Sequence, residues 1–252
     1  MGLFGRWFGK ASASDEGSGP KVDKGVARLQ KKLMNKYVQT LERKRIIRIL
    51  ADMNSYEATR ALLGRFTYVT DGSIVDEDEK ELVYEIIRVK GASAQPALES
   101  FIREEVAIYW ALKSYTEIVG EEQAVDLLLE CIDGIQDRFD RSMGRLTNLV
   151  SALRDYQHPK VLARLLTLSG DEHEEIRFLA VDGLSMFDSH HEAVDAILHR
   201  LVDDDETTRL KTFIMDLLLE RRWNVKRFRK ALMEKIPDTY FVDDTGVVQR
   251  RF

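Results

Sequence analysis

The stretch DEHEEIRFLAVDGL, residues 171–184, decides the fold. Its acidic head sets Asp171, Glu172, Glu174 and Glu175 around His173, a composition that suits a metal or acid/base site as well as the start of a helix. The spacing behind it favours the helix, because Ile176, Leu179, Ala180, Gly183, Leu184 and Phe187 fall at i, i+3, i+4, i+7, i+8 and i+11, one stripe. Asp171 then lies in the leading turn. Glu174 and Glu175 occupy the first turn, where carboxylates interact with unpaired amides and the positive dipole end by roughly 0.3 to 1 kcal/mol each. His173 is expected in the same turn, facing solvent.

The pattern recurs. A shift of 34 residues carries Asp171, Glu172, Ile176, Arg177, Leu179, Ala180, Gly183 and Leu184 onto Asp205, Glu206, Leu210, Lys211, Phe213, Ile214, Leu217 and Leu218. Between the copies, Val194, Ile197, Leu198 and Leu201 form a second stripe, so the unit is two helices joined by short polar turns. Weaker copies begin at Ile47, Val83, Ile108 and Leu146, with partner stripes through Ala58, Ala97, Ala124 and Val161 and a final helix through Phe228. The mean spacing of about 33 residues is that of helical-pair repeats. Six helical pairs are expected between about Thr40 and Ile236.

LSGDEHEEIRFLAVDGL (168–184) resembles the turn and second helix of a HEAT repeat, and KGASAQPALESFI (90–102) and VGEEQAVDLLLECI (119–132) are similar to the loop and following helix of that family. The chain as a whole resembles bacterial HEAT-repeat proteins over roughly residues 40–236, most specifically from Lys160 to Trp223. The resemblance implies a curved α-solenoid that binds proteins and occasionally nucleic acid, with no shared catalytic residues.

Composition agrees with an all-α chain: four prolines and fifteen glycines stand against abundant Leu, Ala, Glu, Arg and Lys. No apolar run approaches the roughly 20 residues of a membrane span, and the single Cys131 forms no internal disulfide. A cytoplasmic protein is therefore expected, with Cys131 as a small buried hydrophobe. Three regions follow: a tail over 1–20, a helical repeat domain over 21–236 and a C-terminal hairpin over 237–252. The hairpin rests on two β-prone runs around Asp243-Asp244-Thr245-Gly246 after Pro237, and it should pack on the last helical pair.

Charge is segregated. Residues 1–48 are net +8 and residues 221–252 net +5, which leaves the body at −18. One reading of the basic ends is that they cover the exposed faces of the stack. The other is an acidic ligand: in RRWNVKRFRKALMEK, read as one helix, Arg221, Arg222, Lys226, Arg227, Arg229 and Lys230 surround Trp223 and Phe228 and form a candidate partner-binding cluster. The acidic body disfavours nucleic acid lying along the whole molecule. At the other end, Leu3, Phe4, Trp7 and Phe8 share one helical face beside Arg6 and Lys10. They form either an interfacial membrane anchor, helped by the basic run Lys21 to Lys36, or a tail or docking peptide on the polar linker 11–20. Arg6 at the position that needs Ser or Thr argues against N-myristoylation.

The remaining motifs carry little chemistry. His190, His191 and His199 lack metal-ligand spacing. DEDEKE (76–81) has no EF-hand glycine, and Asp76 with Glu79 has the spacing of a capping box. VDDDET (202–207) is read as a helix start too. RFTYVTDGSIVD (65–76) interrupts the repeat, either as a binding rim or as a connection that packs Phe66 and Tyr68. No catalytic, metal or cofactor-binding residue is assigned. The expected role is a non-catalytic scaffold for a protein partner, with peripheral membrane contact through residues 1–10. The alternatives are a nucleic-acid-binding protein resembling helical-repeat DNA glycosylases, although Ser114 rather than an acid follows Trp110 by one turn, and a chromophore lyase resembling the HEAT-like phycobilin lyases.

Overall fold

A computed structural model describes residues 23–135 and 140–251. The segment containing Leu3, Phe4, Trp7 and Phe8 lies outside the described residues, and so does the linker behind it. The described chain runs α1 (Lys24–Leu33), α2 (Thr40–Asp52), α3 (Tyr56–Leu63), α4 (Ser73–Lys90), α5 (Gln95–Glu104), α6 (Tyr109–Val119) and α7 (Glu121–Asp133). It continues with α8 (Asp140–Leu153), α9 (Pro159–Leu168), α10 (Glu174–Leu184), α11 (His191–Val202), α12 (Thr208–Arg221), α13 (Arg229–Lys235), β1 (Tyr240–Val242) and β2 (Val248–Arg250).

Local chemistry sets many helix starts. Asp23 accepts the Gly25 amide at 2.7 Å, Ser55 the Ala58 amide at 3.1 Å and Thr207 the Leu210 amide at 3.3 Å. His158 caps α9, with Pro159 placed where a missing N–H does no harm. The helices then pack in sequence. The odd-numbered helices neighbour one another from α1 to α13, and α2, α4 and α6, then α8 and α10, form the second layer. The apolar stripes meet between the layers: Ile47, Val83, Ile108, Leu146, Ile176 and Leu210 are all buried there. Each pair buries its stripe only because a neighbour covers it.

The two β-strands close the C-terminal end. They pair antiparallel with Phe241 opposite Gln249, and they bury Val242 and Val248 against α12 and α13. The Val225 amide donates to the Gly246 carbonyl at 2.7 Å. Gly246 has φ of +89°, and a Cβ there would stand 2.6 Å from Asn224 Oδ1, so glycine is required on both counts.

Four expectations need correction. Within the region 21–236 the first helix precedes the pairs expected from Thr40, because α1 packs on α2 and α3 through Val26 and Leu33. The stretch 221–235 is not one helix: α12 ends at Arg221, Arg222 turns left-handed at φ 54°, and α13 starts only at Arg229. Phe187 is buried in the turn after α10 and is not on the helix itself. Asp76 and Glu79 are no capping box, since α4 already starts at Ser73 and both carboxylates are buried inside the fold.

Those two carboxylates meet two distant arginines. Glu79 accepts from Arg43 Nε at 2.9 Å and Arg65 Nε at 2.8 Å, and Asp76 accepts from Arg65 Nη2 at 2.7 Å and pairs with Lys80 at 2.7 Å. Among the described residues every buried side-chain nitrogen and oxygen has a partner. Such a network is tolerated only when every member is satisfied.

Candidate interaction groove

The acidic head of residues 171–175 is indeed the approach to α10. His173 is the N-cap residue, its amide and ring both meet Asp171 Oδ1 at 3.0 and 3.2 Å, and the ring stays partly exposed to solvent. Arg177 carries the more important contact. Its Nε and Nη2 grip the nearly buried Glu206 at 2.8 and 2.7 Å, while Nη1 donates to the Asp171 and Glu172 carbonyls. Thr207 donates to Glu174 at 3.1 Å and Arg209 to Glu175 at 2.8 Å, so the carboxylates clamp one repeat to the next. Phe178 and Phe213 fill the space between α10 and α12, with ring centroids 4.7 Å apart.

Between α6 and α8 that space is left open. Asn148 Nδ2, past the middle of α8, donates at 2.9 Å to the Val106 carbonyl ahead of α6, and the Thr116 and Tyr156 hydroxyls bond at 2.7 Å near the ends of the two helices. Between these bridges α8 presents Ser151 and Ala152, side chains too short to fill the gap, and a groove of about 960 Å³ results. Its other wall is aromatic. Trp110 stacks on Phe66 with centroids 6.1 Å apart and meets the Tyr84 ring edge-on at 5.9 Å, while Tyr109 is 63% exposed at the mouth. Phe66 and Tyr68 are thus packed as a connection, and Phe66 also reaches the groove.

The polar groups on the walls are mostly engaged. Lys80 pairs with Asp76, Arg154 with Asp182 at 2.7 Å, and Glu117 accepts from the Tyr84 hydroxyl. Burial and the Glu117 carboxylate push the Tyr84 phenol up to about 12, so it remains a donor at neutral pH. The Lys113 ammonium lies 4.6 Å from the Tyr84 ring centroid and 5.3 Å from that of Trp110, with no ion pair among the described residues. Ser114 is buried and donates to the Trp110 carbonyl at 2.9 Å, away from the groove. This arrangement offers aromatic faces, one uncompensated cation and two carboxylates, Glu117 and Asp155, along an open channel.

The basic cluster is distributed differently from the sequence reading. Arg221 pairs with Asp188 at 4.0 Å, Arg227 with Asp195, and Arg229 with Asp244 at 3.6 Å. Arg222, Lys226 and Lys230 are exposed and make no ion pair among the described residues, and Trp223 and Phe228 pack partly into the core. Of the paired arginines, Arg227 ties the turn before α13 to α11, Arg221 joins the end of α12 to the turn after α10, and Arg229 joins α13 to the hairpin. His190 and His199 rest edge-on against Phe187 and Phe228, and exposed His191 meets Glu192 at 3.1 Å. Cys131 is buried and lines a smaller cavity of about 230 Å³, and burial pushes its thiol up. The groove was missed in the sequence, although Trp110, Lys113 and Glu117 at i, i+3 and i+7 marked one face of α6.

Residues 147–217 match the HEAT repeats family, a span that runs from within α8 into α12. No curated protein and no solved structure matches the chain. Among the described residues no helix is long and apolar enough to cross a membrane.

Proposed function

We propose that the protein is a non-catalytic scaffold whose α6–α8 groove holds an extended segment of a protein partner. The observation that carries this reading is the open groove itself, where the helical stack leaves Tyr109, Trp110 and Lys113 facing short side chains on α8. Aromatic side chains in a concave site supply large contact area with little loss of rotamer freedom. Carboxylates and a cation along one channel suit a segment with mixed charges better than a polyanion. The HEAT repeats match supports a protein-interaction role in general terms.

A photo-crosslinking residue placed at Tyr109 in the full chain, in its native cell, tests the proposal. Protein adducts should form there and be lost when Ser151→Trp fills the groove. Adducts that persist in the filled variant overturn the reading. A second reading, nucleic-acid binding, is favoured by Lys80, Lys113 and Arg154 beside Trp110 and opposed by Glu117 and Asp155 in the same groove. Titration of labelled duplex separates the two, because phosphate contacts produce binding that falls steeply with salt and is weakened by Lys113→Ala.

A further inference from the structure

Leu3, Phe4, Trp7 and Phe8 concentrate apolar surface in a stretch of ten residues that also carries Arg6 and Lys10 and no acid. Apolar surface of that density gains from being covered. The α6–α8 groove offers matching walls. Phe66, Tyr109 and Trp110 line it, Tyr109 is 63% exposed at the mouth, and Ser151 and Ala152 opposite them leave room for incoming rings. Aromatic side chains pack favourably edge-on or offset against other aromatics.

Charge and reach agree with this match. Lys80 and Arg154 are neutralised by Asp76 and Asp182, and the Lys113 ammonium rests on the Tyr84 and Trp110 rings. Glu117 and Asp155 line the same groove and have no ion pair among the described residues, so the surplus left for a cationic segment is negative. α1 runs from Lys24 to Leu33, the Tyr68 hydroxyl donates to the Leu33 carbonyl, and Phe66, two residues before Tyr68, lies in the groove wall. That path from Asp23 to Phe66 amounts to roughly 15 Å of helix and roughly 15 Å of tyrosine and loop. Residues 11–22 span roughly 40 Å when extended, so Lys10 reaches Phe66 with length to spare.

We propose that residues 1–10 dock in the α6–α8 groove of their own chain, with Phe4, Trp7 and Phe8 against Phe66, Tyr109 and Trp110 and with Arg6 and Lys10 towards Glu117 and Asp155. The contact rests on the groove's role as a binding site and adds its regulation, because a partner segment must displace the chain's own. A tether of this length holds residues 1–10 at an effective concentration on the order of 1 mM, so an intrinsic Kd of about 0.1 mM keeps the groove roughly 90% occupied. A partner then binds about tenfold more weakly than it would to the empty groove.

The test uses the purified full chain with a photo-crosslinking residue at Tyr109 and no other protein present. Illumination should link that position to residues 1–10 within one chain, at a yield unchanged on dilution. Ser151→Trp, which fills the groove, and Phe4→Ser/Trp7→Ser, which strips the segment, should each remove the link with helical circular dichroism unchanged. A fluorescein-labelled peptide of residues 1–10 should bind the Phe4→Ser/Trp7→Ser chain about tenfold more tightly than the native chain, and Asp155→Lys in that background should weaken it severalfold. No link to residues 1–10, a yield that falls on dilution, or equal peptide binding by the two chains overturns the proposal. A segment that only seeks membranes gives the first of those outcomes. In cells, partner adducts at Tyr109 without the intramolecular link would sink this contact and leave the groove's role standing, whereas the link without partner adducts would sink that role alone.

Discussion

Asp76 lies under Arg65 and Lys80 in the middle of the buried ion network. Burial works against its charge, but hydrogen bonds from Lys80, Arg65 and the Thr70 amide outweigh that and hold the carboxyl down to about 2 from 3.8. A folded-state value below the unfolded one means that the stabilisation is complete above about 4 and is lost as pH falls through about 2. The shift corresponds to about 2 kcal/mol. Urea denaturation of the native chain and of Asp76→Asn should therefore differ by about that amount at neutral pH and converge in acid. A constant difference down to the lowest pH would show that the carboxylate is not the stabilising group. None of this was legible locally, because Arg43 and Arg65 lie 33 and 11 residues before Asp76 in the chain and only the fold brings Arg65 to it and Arg43 to its neighbour Glu79. Read alone, Asp76 and Glu79 had the spacing of a cap.

The α10 and α12 elements repeat in sequence, and what joins them is specific. Arg177 uses its planar fork on Glu206 and its remaining nitrogen on two carbonyls of its own leading turn, an arrangement that a lysine ammonium cannot reproduce. Arg177→Ala leaves the Glu206 carboxylate buried, with Arg200 at 3.8 Å as the nearest remaining cation. Thermal unfolding should show a loss of about 3 kcal/mol, and Arg177→Lys should recover less than half of it. Full recovery by lysine would mean that charge alone matters there. At this scale the sequence was informative where helix starts and apolar stripes coincided, as in α9 to α12. It was less so for α1, whose apolar stripe is only Val26, Leu29 and Leu33 among many lysines. The groove depends on Ser151 and Ala152 facing Trp110 across two helices, a pairing of distant residues that no local period encodes.

Across the whole molecule, stability should be distributed as in other stacks, with each pair depending on its immediate neighbours. The C-terminal cover is therefore a local device. Val225, Leu232, Val242 and Val248 are buried where α12, α13 and the hairpin meet, and the hairpin is tied back by the Val225 amide and by Asn224, which donates to the Thr245 carbonyl at 3.1 Å. Removing residues 237–252 exposes that surface without touching α1 to α8. Hydrogen exchange on the truncated chain should accelerate in α11 to α13, fade through α9 and α10, and remain unchanged in α2 to α5. A uniform rise would mean that the molecule unfolds as one unit in spite of its serial packing. The α6–α8 groove makes the local outcome the expected one, because it interrupts the second layer and leaves α5, α7, the two bridges beside the groove and the bonds from Arg145 on α8 to the Ile102 and Glu105 carbonyls to carry coupling between the halves. By the same logic, Ser151→Trp should bind the halves more tightly while it closes the groove, so that exchange in α6 and α8 slows as partner crosslinking at Tyr109 disappears.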